Sequence, residues 1–390
     1  MLPEPDASMI CLSPNGKTIS RSKAAPLVLM VATAESVFEF RRERAGAPWK
    51  LHRDDILKGR HVSALLFEPR SGLLFAGLHF EGGVMVSADG GSTWTPRNQG
   101  FESGHVYSLM VQYRGDKPVL YAGTEPAMLY RSDDLGMSWT ALPSMRDVPD
   151  TDKWLFPRSE PHIKNIASHP DQPDTLYICV EQGDLLKSTD AGKSWRQLTS
   201  FEQEGDKFRR DIHRVTFRAE DPEEIFLTTG IGLYHTIDGG ETWEQFTDTK
   251  FRLGYPDPFF IHPEDRTLMF MVGAGFSPNP EWGKEGTAHP LFMVSRDSGR
   301  TWTEAMEGMR QPVRGNLEAA AMHVSEEAGV ELVTGTSCGE LYWSDDLAAH
   351  WQVITDQLGP VSKGPHFRHF LPPERREAYE NKLRSMNAFA

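Results

Sequence analysis

Histidine and glutamate recur along this chain in a pattern that could support chemistry. Histidine opens a series of similar segments, among them HVSALLFEP, HIKNIASHP and HRVTFRAE. The histidines of this series are His61, His105, His162, His213 and His366. Glutamates recur near the same segments, at Glu35, Glu81, Glu125 and Glu181. Imidazole nitrogens and carboxylate oxygens can bind a divalent metal ion together, or they can act as general acid and base.

A second repeat indicates which elements must hold these residues. The frame S/T-x-D-x-G-x-S/T-W occurs as SADGGSTW, SDDLGMSW, STDAGKSW, TIDGGETW, SRDSGRTW and, with two positions altered, SDDLAAHW. A seventh copy at 42–49 keeps Gly46 and Trp49 but has Arg44 where the aspartate should be. Successive frames are about fifty residues apart, the size of one four-stranded propeller blade. The aspartates of the six frames are Asp89, Asp134, Asp190, Asp238, Asp297 and Asp346.

Each frame has the side chains of a tight turn between two strands. Asp and Ser/Thr can accept hydrogen bonds from the turn backbone, Gly tolerates positive φ, and Trp begins the next strand with a large apolar surface. These aspartates are therefore predicted to be structural.

Four short strands, A to D, are predicted around each frame. In the fourth unit they are HIKNIASHP, DTLYICV, DLLKSTD and SWRQL. The first unit has no A strand directly before it, but PHFRHFLPP near the C-terminus is similar to PHIKNIASHP. We therefore predict one all-β domain over 1–390, a seven-bladed β-propeller of antiparallel blades closed by a C-terminal strand at about 366–372. Residues 1–26 would be a lead-in and 374–390 a short helical tail.

The strand order separates two faces of this propeller. The frames are C–D turns, so they lie on one face, called the lower face below. The recurring histidines, the glutamates and the long connections at 143–161, 200–212, 247–258 and 274–290 lie on the opposite, upper face. Long loops on a rigid scaffold commonly carry binding residues. The sequence therefore predicts a His- and Glu-lined pocket at the top of the central channel.

Within this pocket, three groups of candidate residues follow from the pattern. The catalytic candidates are His162, His213, Glu125 and Glu181. The candidate ligands of a divalent metal, the one cofactor that the pattern suggests, are His61, His105, His162, His213 and His366. The candidates for substrate binding, through stacking or through contacts with an anion, are Trp154, Arg158, Arg209, Arg210 and Trp282. A structural interpretation stays open, because repeats would copy a histidine that only bonds a neighbouring blade.

The phrases YAGTEPAMLYRSDDLGMSW and YICVEQGDLLKSTDAGKSW resemble the Asp-box (BNR) repeat family, the glycosidase-like and sortilin-like β-propellers. The resemblance covers roughly residues 27–373. It implies the propeller fold, but Asp-box propellers differ widely in function. A true sialidase is not expected, because the chain lacks a FRIP or YRIP segment near its N-terminus and a Tyr–Glu pair.

Two functions are open at this point. One is a hydrolase or lyase, metal-dependent or not, acting on a carbohydrate-like or small anionic substrate in the upper pocket. The other is a non-catalytic propeller that binds a peptide or protein over the upper face, as the resemblance to sortilin-like propellers implies.

Bulk composition restricts the partners. The chain has 41 Lys and Arg against 55 Asp and Glu, a formal net charge of −14, which argues against nucleic acid. No long apolar run predicts a membrane span, and MLPEPDASMI has neither a basic nor an apolar signal region, so a cytoplasmic location is expected. The three cysteines are far apart, which favours free thiols.

Overall fold

Seven β-sheets form the protein. The computed structural model describes residues 6–80, 82–154, 160–199, 201 and 211–385. Six sheets have four strands and the seventh has five, and together they are the seven blades of a β-propeller. The predicted fold class is therefore confirmed.

The strands of each blade follow one another from the innermost to the outermost. Blade one contains β1 (Met9–Leu12), β3 (Val28–Ala32), β4 (Val37–Arg41) and β5 (Lys50–Ile56). Blade two contains β6 (His61–Glu68), β7 (Leu73–His79), β8 (Gly83–Ser87) and β9 (Thr95–Pro96). Blade three contains β10 (Val106–Arg114), β11 (Lys117–Thr124), β12 (Leu129–Ser132) and β13 (Thr140–Ala141). Blade four contains β14 (His162–Ser168), β15 (Leu176–Glu181), β16 (Leu185–Ser188) and β17 (Arg196–Gln197).

The remaining blades have the same order. Blade five contains β18 (Ile212–Phe217), β19 (Ile225–Thr229), β20 (Gly232–Thr236) and β21 (Glu244–Thr247). Blade six contains β22 (Tyr255–Ile261), β23 (Met269–Ala274), β24 (Leu291–Ser295) and β25 (Thr303–Glu304). Blade seven contains β2 (Ile19–Ser22), β26 (Leu317–Ser325), β27 (Gly329–Thr336), β28 (Leu341–Ser344) and β29 (Gln352–Thr355). Helices are few: α1 (Pro280–Glu285), α2 (Pro373–Ser385) and the 3-10 turns Pro143–Arg146, Thr151–Lys153 and Pro365–Phe370.

The Asp boxes staple the turn between the third and fourth strands of their blades. In blade three, Asp134 Oδ1 accepts hydrogen bonds from the Ser132 hydroxyl at 2.7 Å and from the Ser138 backbone N–H at 3.0 Å. Its Oδ2 accepts the Ser138 hydroxyl at 2.6 Å. Gly136 has φ +81°, and the buried Trp139 packs between blades two and three. The frame thus closes the hairpin and fills the space between blades.

Replacing Asp134 with alanine is expected to lower the free energy of unfolding by about 1–2 kcal/mol, because three hydrogen bonds to the turn are lost. Asp346 is the matched comparison. His350 stands where the other boxes have Ser or Thr, so the Asp346 carboxylate accepts two of these hydrogen bonds, from the Ser344 hydroxyl and the His350 backbone N–H. Asp346→Ala should therefore cost less in urea unfolding. An equal or larger loss at Asp346 would contradict this role of the box.

Blade one is closed by the N-terminus, so the predicted C-terminal strand at 366–372 is wrong. β1 pairs with β3 in parallel, with Met9 opposite Val28 and Leu12 opposite Val31. The described part of the predicted lead-in, residues 6–26, therefore contributes a strand to blade one. The C-terminal segment instead forms the 3-10 turn Pro365–Phe370, whose proline at the first position suits a helical start.

Residues 9–22, called the N-terminal loop, enter the channel from the lower face and return to it. After β1, the apex at 13–16 reaches across the channel, where the Asn15 backbone N–H donates to the Ser63 carbonyl at 3.1 Å. The chain returns as β2, which pairs in parallel with the inner strand β26 and so lies inside blade seven. Gly16 is required at the apex, because a Cβ there would lie 2.4 Å from the Leu65 carbonyl oxygen.

Residues 359–370, called the C-terminal segment, cover the channel from the upper face. The Ala34 backbone N–H donates to the Pro360 carbonyl at 2.8 Å, and the Val361 N–H donates to the Thr336 carbonyl at 3.1 Å. Phe370 stacks on Trp282 of α1, with ring centroids 5.9 Å apart. The N-terminal loop and the C-terminal segment therefore both occupy the channel that the blades surround.

Candidate functional site

A buried ion network fills the middle of the channel. Asp257 Oδ2 lies 2.8 Å from the amine of Lys164 and 2.8 Å from the amine of Lys363. Both lysine side chains are fully buried. Burial by itself would raise the pKa of Asp257, but Lys164 and Lys363 outweigh it, so the pKa lies far below its usual range. Lys363 comes from the C-terminal segment, which is thus held in the channel by charge.

Glu125 and Glu181 are brought together by His162; the sequence pattern had placed all three residues at the top of the channel. His162 Nε2 is 3.1 Å from Glu181 Oε2, and Nδ1 is 3.3 Å from Glu125 Oε2. Lys164 approaches Glu181 to 3.3 Å. Burial raises the pKa of each glutamate, but nearby charges outweigh it and hold both pKa values well below the usual range: His79 and His162 for Glu125, the lysines and His162 for Glu181.

His213 lies beside this network, next to two carboxylates. Its Nδ1 is 2.6 Å from the Pro256 carbonyl oxygen, and its Nε2 is 3.2 Å from Asp211 Oδ1. Glu181, Asp211 and His213 are close enough to share a cation. However, Glu181 also contacts Lys164, and each ring nitrogen of His213 already faces an acceptor oxygen, so an ion would have to displace existing partners. These residues fit an ion network better than an open metal site.

The other histidines of the series are dispersed around the upper end of the channel. His61 Nε2 is 2.9 Å from the Ser362 carbonyl, and His366 Nδ1 is 3.0 Å from Glu318 Oε1. Both therefore contact or belong to the C-terminal segment. His105 is half-buried, and its backbone N–H donates to the Ser103 hydroxyl. The structure thus places His162 and His213 next to carboxylates inside the channel. His61 contacts the C-terminal segment that covers the channel, and His366 belongs to that segment.

The two candidate aromatic platforms are packing residues in this conformation. The Trp154 and Trp282 side chains are completely buried. Trp154 donates its indole N–H to Asp184, while Trp282 packs between Phe276 and Phe370. Neither ring presents a face to solvent. Arg158, Arg209 and Arg210, together with Glu81, lie outside the described residues.

The lower half of the channel holds a cavity of about 780 Å³. Its walls are the lower ends of the inner strands of blades three to six, and β2 with the preceding residues 15–18 forms the remaining side. Its size is typical of ligand sites. The repeat pattern indicated a site on the upper face, so this cavity was not predicted.

The comparisons with known proteins agree with the repeat geometry. A family model described as Sortilin, neurotensin receptor 3 (Sortilin-Vps10) matches residues 183–327, which include three of the boxes. The chain is an Asp-box β-propeller.

Curated relatives of this propeller fall into two groups. A xyloglucanase from Paenibacillus sp. is 25% identical over 294 residues, covering 67% of this chain and 27% of the relative. A probable oligoxyloglucan-reducing end-specific xyloglucanase from Neosartorya fischeri is 34% identical over 236 residues, covering 53% and 28%. Vacuolar protein sorting/targeting protein 10 from Sordaria macrospora is 28% identical over 231 residues, covering 54% and 14%. The matched segments thus make up less than a third of each relative's length.

Solved structures support the fold of the propeller. An ancestral GH74 enzyme superposes with a TM-score of 0.57 at 17% identity, covering 72% of this chain and 36% of the other. A chain of the COPII outer coat vertex superposes with a TM-score of 0.50 at 13% identity, covering 82% and 81%. Among the described residues, no helix has the length and apolar character needed to span a membrane.

Two signals in the propeller's sequence point to the features that were not predicted. Lys164 lies in the segment HIKNIASHP, which was predicted to be an inner strand, and a lysine buried there needs an acid as partner. The cavity has a weaker signal, the basic residues Lys17 and Arg21 in the segment interpreted as a lead-in. Neither signal could be interpreted without knowing that the N-terminus enters the channel.

Proposed function

We propose that this Asp-box propeller is a non-catalytic module that binds a peptide segment in the lower cavity. The observation that carries the proposal is the cavity itself, which lies in a channel that already holds two segments of its own chain, the N-terminal loop and the C-terminal segment. The location differs from the predicted upper pocket, where His162, His213, Trp154 and Trp282 are buried and His61 contacts the C-terminal segment.

Backbone hydrogen bonds support a peptide as the ligand. The Arg214 side chain donates to the Pro14 carbonyl at 2.9 Å, and the Asn15 side chain donates to the Tyr107 carbonyl at 3.2 Å. β2 is the terminal strand of its sheet and also contributes to the cavity wall. A terminal strand can be extended by an added peptide strand, which takes its affinity from main-chain hydrogen bonds.

The carboxylates of the channel do not suit glycoside hydrolysis. A hydrolase of this kind needs one carboxylic acid that stays protonated near neutral pH. In the described channel, the pKa values of Glu125, Glu181, Asp211, Asp257 and Glu318 are all lowered, because contacts with lysine and histidine side chains outweigh burial. On this basis we propose that the chain shares the fold of its xyloglucanase relatives but not their reaction.

Peptide selection tests the binding proposal. Display of random peptides against the wild-type protein should yield sequences that bind with micromolar dissociation constants. Ser168→Trp and Thr216→Trp, on the cavity walls of blades four and five, should each weaken this binding by about tenfold or more, because the new ring fills the site. Glu102→Trp, an exposed change on the upper face, is the matched control and should leave affinity unchanged.

Two results would overturn the proposal. One is that selected peptides bind both folded cavity variants as tightly as the wild type. The other is release of reducing sugar from xyloglucan by the wild type, with loss of that activity in Glu340→Gln. Glu340 is the acid to test because burial raises its pKa despite its hydrogen bond from Thr336.

A further inference from the structure

The lower cavity has a charge opposite to that of the protein. The chain carries a formal net charge of −14, yet one acid, Glu220, is found among the described cavity residues. The basic residues of the lining are Lys17, Arg21, Arg70, Arg114 and Arg214. From this reversal we infer that the cavity selects a peptide segment rich in Asp and Glu, an inference that rests on the proposed peptide-binding function.

The basic residues of the lining differ in whether they already have an acidic partner within the protein. Arg70 lies 3.8 Å from Asp116, and Arg114 lies 2.7 Å from Asp174; both acids are well exposed and stand outside the lining. Exposed pairs of this kind are weak, so an incoming carboxylate can compete for these arginines.

Arg21 is the cation best placed to meet a ligand. Its side chain is half-buried on β2, and its guanidinium makes no hydrogen bond or ion pair with any described residue. Arg214 lies deeper: it is buried, donates to Pro14, lies 3.8 Å from Asp257, and keeps its Nε without a hydrogen-bond partner in the described structure. Arginine suits carboxylates because its planar group can donate two parallel hydrogen bonds.

An uncharged side-chain donor, the imidazole of His262, also lines the lower cavity. His262 Nδ1 accepts the backbone N–H groups of Glu264 and Asp265 at 3.1 and 2.9 Å. The proton of the neutral ring therefore resides on Nε2, which can donate to a ligand. His169 in blade four also accepts from the Asp171 and Gln172 N–H groups, but its Nε2 lies 3.4 Å from Glu223 Oε1. A concave wall of basic residues focuses the positive electrostatic potential inside the cavity, and this potential attracts an anionic peptide segment.

Three matched peptides test the inference by fluorescence anisotropy. Each is a labelled octapeptide in which valine alternates with glutamate, glutamine or lysine. The Glu peptide should bind at least about tenfold more tightly than the Gln peptide, and its affinity should fall as salt rises. The Lys peptide should bind most weakly.

A charge reversal at Arg21 provides the decisive comparison. Arg21→Glu should weaken binding of the Glu peptide by about tenfold and strengthen binding of the Lys peptide, because only the sign of one wall charge changes. Arg300→Glu, an exposed reversal in the Asp box of blade six on the same face, should do neither. This control separates a local contact from a change in net charge.

The outcomes distinguish the two proposals. If selected peptides are blocked by Ser168→Trp but the Gln peptide binds as tightly as the Glu peptide, the acidic preference is overturned and peptide binding stands. If Arg300→Glu acts as strongly as Arg21→Glu, the preference is a bulk charge effect and the inference fails. If neither cavity variant blocks any peptide, the site itself is wrong.

Discussion

Asp257→Ala is expected to lower the free energy of unfolding by about 3–5 kcal/mol, the range measured when one partner of a buried ion group is removed. Asp257 lies within 2.8 Å of both Lys164 and Lys363 and 3.8 Å from Arg214. Without its carboxylate, three buried cations would be left with Glu181, which is 3.9 Å from Lys363. Urea unfolding followed by tryptophan fluorescence measures the loss.

Asp116→Asn is the matched control for this substitution, because Asp116 is 98% exposed and its contact with Arg70 is long at 3.8 Å. It should change stability by less than about 0.5 kcal/mol. Where Asp257→Ala does not fold, Lys363→Met provides a second measurement, since it removes one cation and leaves Asp257 paired with Lys164. A loss below about 1 kcal/mol for both channel variants would mean that the network does not hold the C-terminal segment.

The same network should make the protein sensitive to acid. The pKa values of Asp257 and Glu181 are depressed in the folded state, so their stabilising contribution is complete above the ordinary carboxyl pKa near 4 and declines below it. Below pH 4 the carboxylates of the unfolded chain bind protons, whereas Asp257 and Glu181 of the folded protein stay ionised. Lowering the pH therefore favours the unfolded state.

The repeats made the blades predictable because each box encodes its own turn chemistry. Asp134 and its equivalents bond to residues within four positions, so the sequence around them contains the whole interaction. Blade one does not follow this logic. Its inner strand β1 is four residues long and pairs in parallel with β3, whereas the inner strands of blades two to six pair antiparallel with their neighbours, so β1 matches no template drawn from those blades.

The candidate site was predictable in part for the same reason. The repeat pattern grouped His162 with Glu125 and Glu181, and the three side chains are in contact, because equivalent positions of adjacent blades converge on the channel. It could not reveal Lys363, which reaches Asp257 from a segment after the last blade, or the N-terminal loop beneath it. Contacts between chain ends and blades have no periodic signal, yet in this propeller they determine that the upper channel is covered and the lower cavity is open.

His323 should couple the N-terminal loop to pH. Its ring nitrogens lie 2.8 Å from the Ser20 and Ser22 hydroxyls, both on β2, and Glu331 is its partner on the neighbouring strand. Burial, followed by the charges of Arg42 and Lys17, lowers the pKa of His323 to about 4. Because the unfolded histidine titrates near 6.5, the unfolded chain binds more protons between pH 6.5 and 4, and stability must fall as pH decreases through that window.

The expected loss from His323 is about 3 kcal/mol in total, from a slope of about 1.4 kcal/mol per pH unit. His323→Gln keeps a polar side chain but cannot be protonated, so its free energy of unfolding should decline less over this window than that of the wild type. His52→Gln, at an exposed histidine on β5, should keep the wild-type slope. Urea unfolding at half-unit pH steps gives the slopes, and hydrogen–deuterium exchange of residues 9–22 reports whether the loop is released first. Parallel slopes for wild type and His323→Gln would show that the ring takes up its proton without disturbing β2, and the N-terminal wall of the cavity would then be insensitive to pH.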